Sequence, residues 1–224
     1  MTRNKKYEAV LFDLDGTLID SAPDVHACVN EMQAIRARPS VSIAEVKKFI
    51  GSGAEPLVRQ VLERNGESTT SKEIDENVQL FLKIYRANPV RYGSLFPEVV
   101  ETLELLLRQG LAMGICTNKP EATTLPVLEK FNLQKYLSVI SCGDKIQFQK
   151  PDPRHIDHAM GLLGSSAQNT LFVGDSMNDV IAAKKAGVDI LAVTFGYEKP
   201  DLLEKDATSL INRISDVVDF IAQK

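Results

Sequence analysis

The chain has 224 residues, of which 44% are hydrophobic and 25% are charged. This composition is typical of a globular protein with one large domain, or with one core and an insertion. The net charge of −4 argues against a general attraction to nucleic acid or to an anionic membrane. No run of about 18 apolar residues occurs, and the first ten residues lack an apolar signal core, so we expect neither membrane insertion nor export.

Three cysteines, Cys28, Cys116 and Cys142, are spread along the chain without CxxC spacing. An odd number of widely spaced cysteines favours free thiols over a disulfide framework or a zinc site. We therefore expect a protein of the reducing cytoplasm.

The segment AVLFDLDGTLIDS (9–21) begins with a short apolar run, which predicts a buried strand over about residues 8–14. Buried parallel strands are apolar throughout because helices cover both faces of the sheet. The run ends in two carboxylates, Asp13 and Asp15. Such groups are unfavourable to bury unless their charge is offset, and a divalent cation is the simplest candidate.

The next segment, up to about residue 90, shows helical patterns and no convincing strand. Apolar residues recur there at three-to-four spacing. The predicted helices cover residues 24–36, 43–50, 55–65 and 72–87. We therefore predict a helical cap domain over residues 21–92, inserted into a core formed by residues 1–20 and 93–224.

After Gly93, strand patterns alternate with helix patterns. The predicted strands cover residues 111–117, 137–142, 170–175 and 189–194. The predicted helices cover residues 97–110, a segment ending near 131, and then 154–163, 178–186 and 215–223. This alternation predicts an α/β fold, a Rossmann-like doubly wound parallel sheet with right-handed crossovers.

In such sheets, ligands bind at the carboxyl ends of the strands, and polar residues fall at those ends here. Asp13 and Asp15 follow the first predicted strand, Thr117 ends the second, and Asp175 ends the fourth. Lys150 lies in the loop after the third strand. We expect these side chains to converge.

These residue types suit the chemistry of a phosphoryl group. Carboxylates such as Asp13, Asp15 and Asp175 are ligands for a hard cation, and Mg²⁺ fits better than Ca²⁺ when water and substrate complete the site. An ammonium at Lys150 and a hydroxyl at Thr117 suit phosphate oxygens. One aspartate can then act as a nucleophile, and an acid two residues away can carry the proton.

Four motifs resemble those of the haloacid dehalogenase superfamily of Mg²⁺-dependent phosphotransferases. They are DLDGTLIDS (13–21), Thr117-Asn118, Lys150-Pro151 and GDSMND (174–179). The resemblance covers the whole chain, and it implies that Asp13 is the nucleophile and Asp15 the general acid/base.

The resemblance also implies the ligands of the site. Mg²⁺ is expected on Asp13, on Asp175 and on the backbone carbonyl of Asp15, with Asp179 in support. The phosphoryl group is expected on Thr117 and Lys150. The backbone amides of Leu14 and Asn118 are expected to face the same group.

Within the superfamily, DGTLIDS (15–21), TNKP (117–120) and FGY (195–197) are most similar to the phosphoglycolate phosphatases. This implies a phosphoric monoester hydrolase acting on a small phosphorylated metabolite, with 2-phosphoglycolate as the first candidate. Sugar-phosphate mutase, pyrophosphatase and nucleoside monophosphatase activities stay open. A phospho-accepting signalling domain is disfavoured, because receiver domains are shorter and lack a helical insert. The oligomeric state, monomer or dimer, also stays open.

The predicted cap contributes weaker candidates. We hypothesise that the loop Gly51-Ser52-Gly53 closes over the core and helps to select the substrate, since amides before a helix can bind an anion. Arg59 and Arg91 are further candidates for binding a substrate carboxylate.

His155 and His158, in the core segment, are three residues apart, and no third metal ligand accompanies them. We therefore expect them on an exposed helix face and not in a metal site.

Overall fold

The computed structural model describes residues 7–64, 66 and 69–224. Its strands are β1 (Ala9–Phe12), β2 (Ile19–Asp20), β3 (Ser94–Leu95), β4 (Ala112–Thr117), β5 (Val139–Cys142), β6 (Thr170–Gly174), β7 (Asp189–Val193) and β8 (Ser209–Ile211). Its helices are α1 (Ala22–Ile35), α2 (Ile43–Phe49), α3 (Ala54–Glu63), α4 (Ser71–Ala87), α5 (Val99–Arg108), α6 (Glu121–Lys130), α7 (Arg154–Leu163), α8 (Met177–Ala186), α9 (Pro200–Leu203) and α10 (Asp216–Ala222).

Within the described residues, the core sheet has six strands in the order β5-β4-β1-β6-β7-β8, and every neighbouring pair is parallel. This confirms the predicted doubly wound α/β fold. The chain runs from β1 outward to β4 and β5, then crosses to the other side of β1 for β6. Phe12 pairs with both Ile115 and Val173, so the carboxyl ends of β1, β4 and β6 lie side by side, where such sheets bind ligands.

Helices α1 to α4 lie between β2 and β3, which form a separate antiparallel pair. Ile19 pairs with Leu95 and Asp20 with Ser94, so the chain leaves and re-enters the core at one place. The four helices pack mainly on one another, and α4 also contacts α6. The predicted helix over 55–65 ends at Glu63, and residue 65 lies outside the described residues. The division into a cap over 21–92 and a core stays a prediction.

The first predicted strand is too long at both ends. Asp13 and the residues after it leave the strand and form a turn centred on Leu14. The Leu14 carbonyl accepts hydrogen bonds from the backbone amides of Thr17 (3.3 Å), Leu18 (3.0 Å) and Ile19 (3.1 Å). The turn points the side chains of Asp13 and Asp15 differently, which has consequences at the site.

Short elements were not predicted. These are β2, β3, β8 and α9, each of two to four residues. Segments of this length carry no measurable hydrophobic period. None of the helices in the described part of the chain has the length and hydropathy needed to span a bilayer.

Candidate active site

A cluster of buried acids lies at the carboxyl ends of β1 and β6. Asp13 follows β1, Asp175 follows β6, and Asp179 lies in the first turn of α8. One oxygen from each carboxylate lies within 4.8 Å of the other two. Each of the three residues is at most 5% exposed. The structure therefore brings together three of the predicted metal ligands, and Asp179 lies as deep as the others.

Glycines hold the chain tightly against Asp175. A Cβ on Gly16 would lie 2.2 Å from Oδ2 of Asp175, and a Cβ on Gly196 would lie 2.2 Å from its Cβ atom. Gly16 also has φ +87°, which side-chain-bearing residues rarely adopt. The backbone amide of Tyr197 donates to Oδ2 of Asp175 over 2.8 Å. The turn after Asp15 and the loop after β7 thus fix this carboxylate.

The Asp179 carboxylate accepts hydrogen bonds from three residues: the Asp175 backbone amide (3.3 Å), Ser176 and Lys150. Its Oδ2 atom accepts hydrogen bonds from the Ser176 backbone amide (3.0 Å) and hydroxyl (2.6 Å), which caps α8. Its Oδ1 atom accepts from Nζ of Lys150 over 2.6 Å. An acid in the first turn of a helix is favourable on its own, but the lysine contact ties this one to the acid cluster.

Lys150 is buried among these carboxylates. Its Nζ atom lies 2.9 Å from Oδ1 of Asp13, as an ion pair without hydrogen-bond alignment, and donates to the Cys116 carbonyl over 2.7 Å. Burial opposes its charge, but Asp13 and Asp179 outweigh burial and raise the pKa of Lys150. We call Lys150, Asp13, Asp175 and Asp179 the Lys150 cluster.

The Lys150 cluster carries three acids and one ammonium. Burial raises the pKa of Asp13 to about 6, although the charge of Lys150 opposes the shift. Burial, with the charges of Asp179 and Asp13, also raises the pKa of Asp175. These shifts come first from burial of the two carboxylates and then from the negative charge of their neighbours. A set of carboxylate oxygens with unbalanced charge fits a hard divalent cation such as Mg²⁺.

Thr117 and Asn118, at the end of β4, lie next to this cluster and are both buried. The Asn118 side chain donates to the Lys150 carbonyl (2.8 Å) and accepts from the Lys150 amide (2.9 Å). It therefore holds the two loops in register. Leu14 is fully buried, and the orientation of its amide toward a phosphoryl group stays a prediction.

The loop Gly51-Ser52-Gly53 reaches these strand ends from the helical segment. The Gly51 carbonyl accepts from the side-chain amides of Asn118 (3.0 Å) and Asn178 (3.2 Å). The Ser52 hydroxyl accepts from Asn178 over 3.0 Å. Gly53 has φ +94°, and a Cβ there would lie 3.2 Å from the Asn118 carbonyl oxygen. The loop therefore contacts the end of β4 and the first turn of α8, and its role in selecting a substrate stays a prediction.

A pocket separates this loop from Asp13. Its polar wall includes Asp13, Asp15, Thr117 and Asn118, and its apolar wall includes Ile50, Leu57, Phe81 and Tyr85. It encloses about 40 Å³ of space for a water-sized sphere, which is room for a few water molecules. A wider opening of about 450 Å³ shares Asp15, Ile50 and Gly51 with this pocket and also reaches Asp175.

Sequence reasoning missed Lys119. Its side chain is 7% exposed, and its Nζ atom lies 3.0 Å from both carboxylate oxygens of Asp15. Nζ also lies 3.0 Å from the hydroxyl of Tyr85 on α4. Burial opposes its charge, but Asp15 and Tyr85 outweigh burial and raise the pKa of Lys119. We call Lys119, Asp15 and Tyr85 the Lys119 bridge.

Asp24 was also missed, because a helix start already accounted for it. Its carboxylate accepts three backbone hydrogen bonds, from Arg91 (2.8 Å), Tyr92 (2.7 Å) and Gly93 (2.9 Å). These bonds fasten the two ends of the helical segment to each other where it joins the sheet.

Two predicted arginines lie away from the pocket. Arg59 pairs with Glu55 and Glu63 along the exposed side of α3. The guanidinium of Arg91 lies 5.2 Å from the ring centroid of Tyr92. Within the described part of the chain, neither arginine lines the pocket beside Asp13.

The exposed face predicted for the histidines of α7 is wrong for one of them. His158 is exposed and contacts the Ser141 hydroxyl at 3.3 Å. His155 is fully buried. Burial and the charge of Lys150 lower the pKa of His155 to about 3, so its ring is neutral at pH 7.

The family model for haloacid dehalogenase-like hydrolases matches residues 10–193, which include every residue of the Lys150 cluster and the Lys119 bridge. The chain belongs to this family. The predicted resemblance is thereby confirmed, and the protein is a hydrolase.

Individual relatives agree over nearly the whole chain. "Phosphoglycolate phosphatase 1" of Pseudomonas aeruginosa is 41% identical over 204 residues, covering 90% of this chain and 75% of the relative. A phosphoglycolate phosphatase of Agrobacterium fabrum is 32% identical over 224 residues, covering 100% and 96%. The crystal structure of a predicted phosphoglycolate phosphatase from Haemophilus somnus has a TM-score of 0.90 at 29% identity, covering 97% and 99%.

Proposed function

We propose that this protein hydrolyses a small phosphomonoester through an aspartyl-phosphate formed on Asp13. The observation that carries the proposal is the position of Asp13 at the end of β1. There its carboxylate lies 2.9 Å from Nζ of Lys150 and lines the pocket together with Asp15 and Thr117. An anionic nucleophile approaches phosphorus only where positive charge offsets the phosphoryl oxygens.

In the first step, an oxygen of Asp13 bonds to phosphorus as the ester P–O bond breaks. The electron pair of that bond passes to the leaving oxygen, which takes a proton from Asp15. Lys150 and the Thr117 hydroxyl bind the phosphoryl oxygens, and the amides of Leu14 and Asn118 complete their hydrogen bonds.

In the second step, Asp15 takes a proton from water, whose oxygen bonds to phosphorus. The bond between phosphorus and Asp13 breaks, which restores the carboxylate and releases inorganic phosphate. Asp15 thereby regains the proton that it gave to the leaving group. The two steps together consume the ester and one water molecule, and they leave the protein unchanged.

Mg²⁺ is the cofactor that the donor set supports. Asp13, Asp175 and the carbonyl of Asp15 would hold it, and Asp179 would support the site. When bound, the ion supplies positive charge to the phosphoryl oxygens and to the excess acids of the Lys150 cluster.

The first candidate substrate is 2-phosphoglycolate, since the relatives with this name match the chain at up to 41% identity. Residues 21–92 would act as the cap that keeps water out during the first step, with Gly51-Ser52-Gly53 selecting the substrate.

The proposed partner is thus a small metabolite and neither nucleic acid nor membrane. The proposed location is the reducing cytoplasm, which the three buried free thiols support.

The test is a screen of phosphate esters in the presence of Mg²⁺. The panel includes 2-phosphoglycolate, pyrophosphate, a nucleoside monophosphate and a hexose 1-phosphate. We expect release of inorganic phosphate, fastest from 2-phosphoglycolate, and loss of activity with a chelator or in Asp13→Asn. Conversion of the hexose phosphate to its isomer without phosphate release would identify a mutase. Full activity of Asp13→Asn would contradict the nucleophile assignment.

A further inference from the structure

The proposed proton carrier is held by a single ammonium group. Both oxygens of Asp15 lie 3.0 Å from Nζ of Lys119. The Asp15 side chain is 12% exposed and the Lys119 side chain 7%, so water has little access to the contact. A two-point contact of this kind restricts rotation of the carboxylate as well as its position.

Lys119 is itself held from two directions. Its Nζ atom donates to the hydroxyl of Tyr85 over 3.0 Å and lies 4.5 Å from the centroid of the same ring. Its backbone amide donates to the Thr117 hydroxyl over 3.2 Å, and its carbonyl accepts from the Gly143 amide over 3.3 Å. The backbone of Lys119 is therefore anchored next to the end of β4, and its ammonium group is held by Tyr85 of α4.

A general acid works only when it lies within hydrogen-bond reach of the leaving oxygen, about 2.6–3.2 Å between heavy atoms. The backbone amide of Asp13 still donates to the Val173 carbonyl of β6 over 2.9 Å, whereas Asp15 lies further along, in the turn after β1. We infer that Lys119 is a positioning residue that holds the Asp15 carboxylate toward the leaving oxygen, and that Tyr85 on α4 completes this hold. The inference rests on the proposed phosphatase function.

This role predicts which substrates suffer when Lys119 is changed. An alkyl ester leaves as an alcohol and needs a proton, whereas p-nitrophenyl phosphate releases a stable phenolate that needs none. The value of kcat/KM covers the steps through departure of the leaving group. A misplaced acid therefore lowers kcat/KM for alkyl esters and spares that for p-nitrophenyl phosphate.

The test compares Lys119→Met with wild type on the fastest alkyl ester of the screen and on p-nitrophenyl phosphate. We expect kcat/KM for the alkyl ester to fall roughly 10- to 100-fold, a part of what a general acid contributes, and that for p-nitrophenyl phosphate to change less than about threefold. Tyr85→Phe removes only one hydroxyl, and we expect a smaller loss of kcat/KM that again affects the alkyl ester more than p-nitrophenyl phosphate. This variant keeps the test valid if Lys119→Met does not fold.

Matched controls separate positioning from a structural role. Lys184→Met removes an exposed lysine paired with Asp206, and Tyr136→Phe removes a hydroxyl that donates to Glu104. Neither should show dependence on the leaving group. In an Asp15→Asn background, Lys119→Met should add no further loss that depends on the leaving group.

Three results would overturn the inference. An equal loss on both esters in Lys119→Met and Tyr85→Phe would show a structural role and would leave the phosphatase proposal standing. A selective loss on a carboxyphenyl phosphate would show that Lys119 binds a substrate carboxylate directly. Absence of hydrolysis of every ester by wild type would overturn the proposed function together with the inference.

Discussion

The two buried lysines of the site, Lys150 and Lys119, hold carboxylates that lie two residues apart in the chain. Lys150 contacts Asp13 and Asp179. Both partners belong to the core, since Asp13 follows β1 and Asp179 lies in the first turn of α8. Lys119 contacts Asp15 from the core and Tyr85 from α4. The first lysine is enclosed by the sheet, and the second bridges the sheet and the helical segment.

This difference supports the proposal that the neighbouring acids Asp13 and Asp15 take different roles. Asp13 belongs to a cluster with excess negative charge, where a cation and a phosphoryl group are both favourable. Asp15 belongs to a paired contact at the wall of the pocket. The turn at Leu14 separates the two environments, which supports our proposal that one acid is the nucleophile and the other the proton carrier.

The largest contrast is expected in stability. Lys150→Met leaves Asp13 and Asp179 buried beside each other, and breaking a buried ion pair in this way costs about 3–5 kcal/mol. Lys119→Met should cost less, because Asp15 reaches the pocket and can be hydrated. Urea unfolding of the metal-free variants measures both free energies. Equal losses would mean that the two lysines are equivalent.

Metal affinity should also divide the two regions. Asp175→Asn removes a charge from the Lys150 cluster and should weaken Mg²⁺ binding by about 100-fold, or roughly 2.7 kcal/mol. Asp15→Asn keeps the backbone carbonyl and should change the affinity less than about threefold. Calorimetric titration with Mg²⁺ measures both values. A large loss in Asp15→Asn would place its side chain in the metal site.

The burial of His155, together with the nearby charge of Lys150, should be visible in the pH dependence of stability. The pKa of His155 is lowered to about 3 from an ordinary 6.5, so the unfolded chain binds more protons between those values. Stability is therefore lost as the pH falls through this window. Between about pH 7 and pH 5, wild type should lose about 2 kcal/mol more than His155→Leu.

The control for that measurement is His158→Leu, since His158 is exposed on the same helix. It should retain the pH dependence of wild type. Parallel curves for wild type and His155→Leu would show that the pKa of His155 is the same in the folded and the unfolded chain.

The smallest effect is expected at the loop that covers both regions. Gly53→Val places a Cβ near the Asn118 carbonyl oxygen and should shift the ratio of kcat/KM between two substrates several-fold, about 1 kcal/mol. Its Mg²⁺ affinity should stay that of wild type. Gly110→Val is the matched control, because Gly110 also has positive φ but no atom within 4 Å of a Cβ. An unchanged substrate ratio would contradict a selecting role.

The acids of the Lys150 cluster were predictable because parallel strands end at a common edge. Asp13 and Asp175 each follow an apolar run, and neighbouring runs bring their ends together. Lys119 follows Thr117 and Asn118 at the end of β4, so the same rule could have placed it at this edge. Its contacts with Asp15 and with Tyr85 on α4 had no such signal, because they depend on the packing of α4 against the core.

The error at His155 had an available signal. His155, Ile156, Ala159 and Met160 form the buried side of α7, and their spacing places them on one face of a helix. The histidine was assigned by its own polarity instead of by the face it shares. The short pair of β2 and β3 had no such signal, because two residues do not define a period.

The central claim is that Asp13 bonds to phosphorus while Asp15 moves the proton. Its most direct test mixes Asp15→Asn with p-nitrophenyl phosphate and Mg²⁺, quenches the reaction, and reduces any acyl phosphate with borohydride before peptide mass mapping. We predict a burst of one nitrophenolate per protein molecule, slow turnover afterwards, and conversion of Asp13 to homoserine. Reduction at Asp175 or Asp179 instead, or rapid turnover without a burst, would contradict the account.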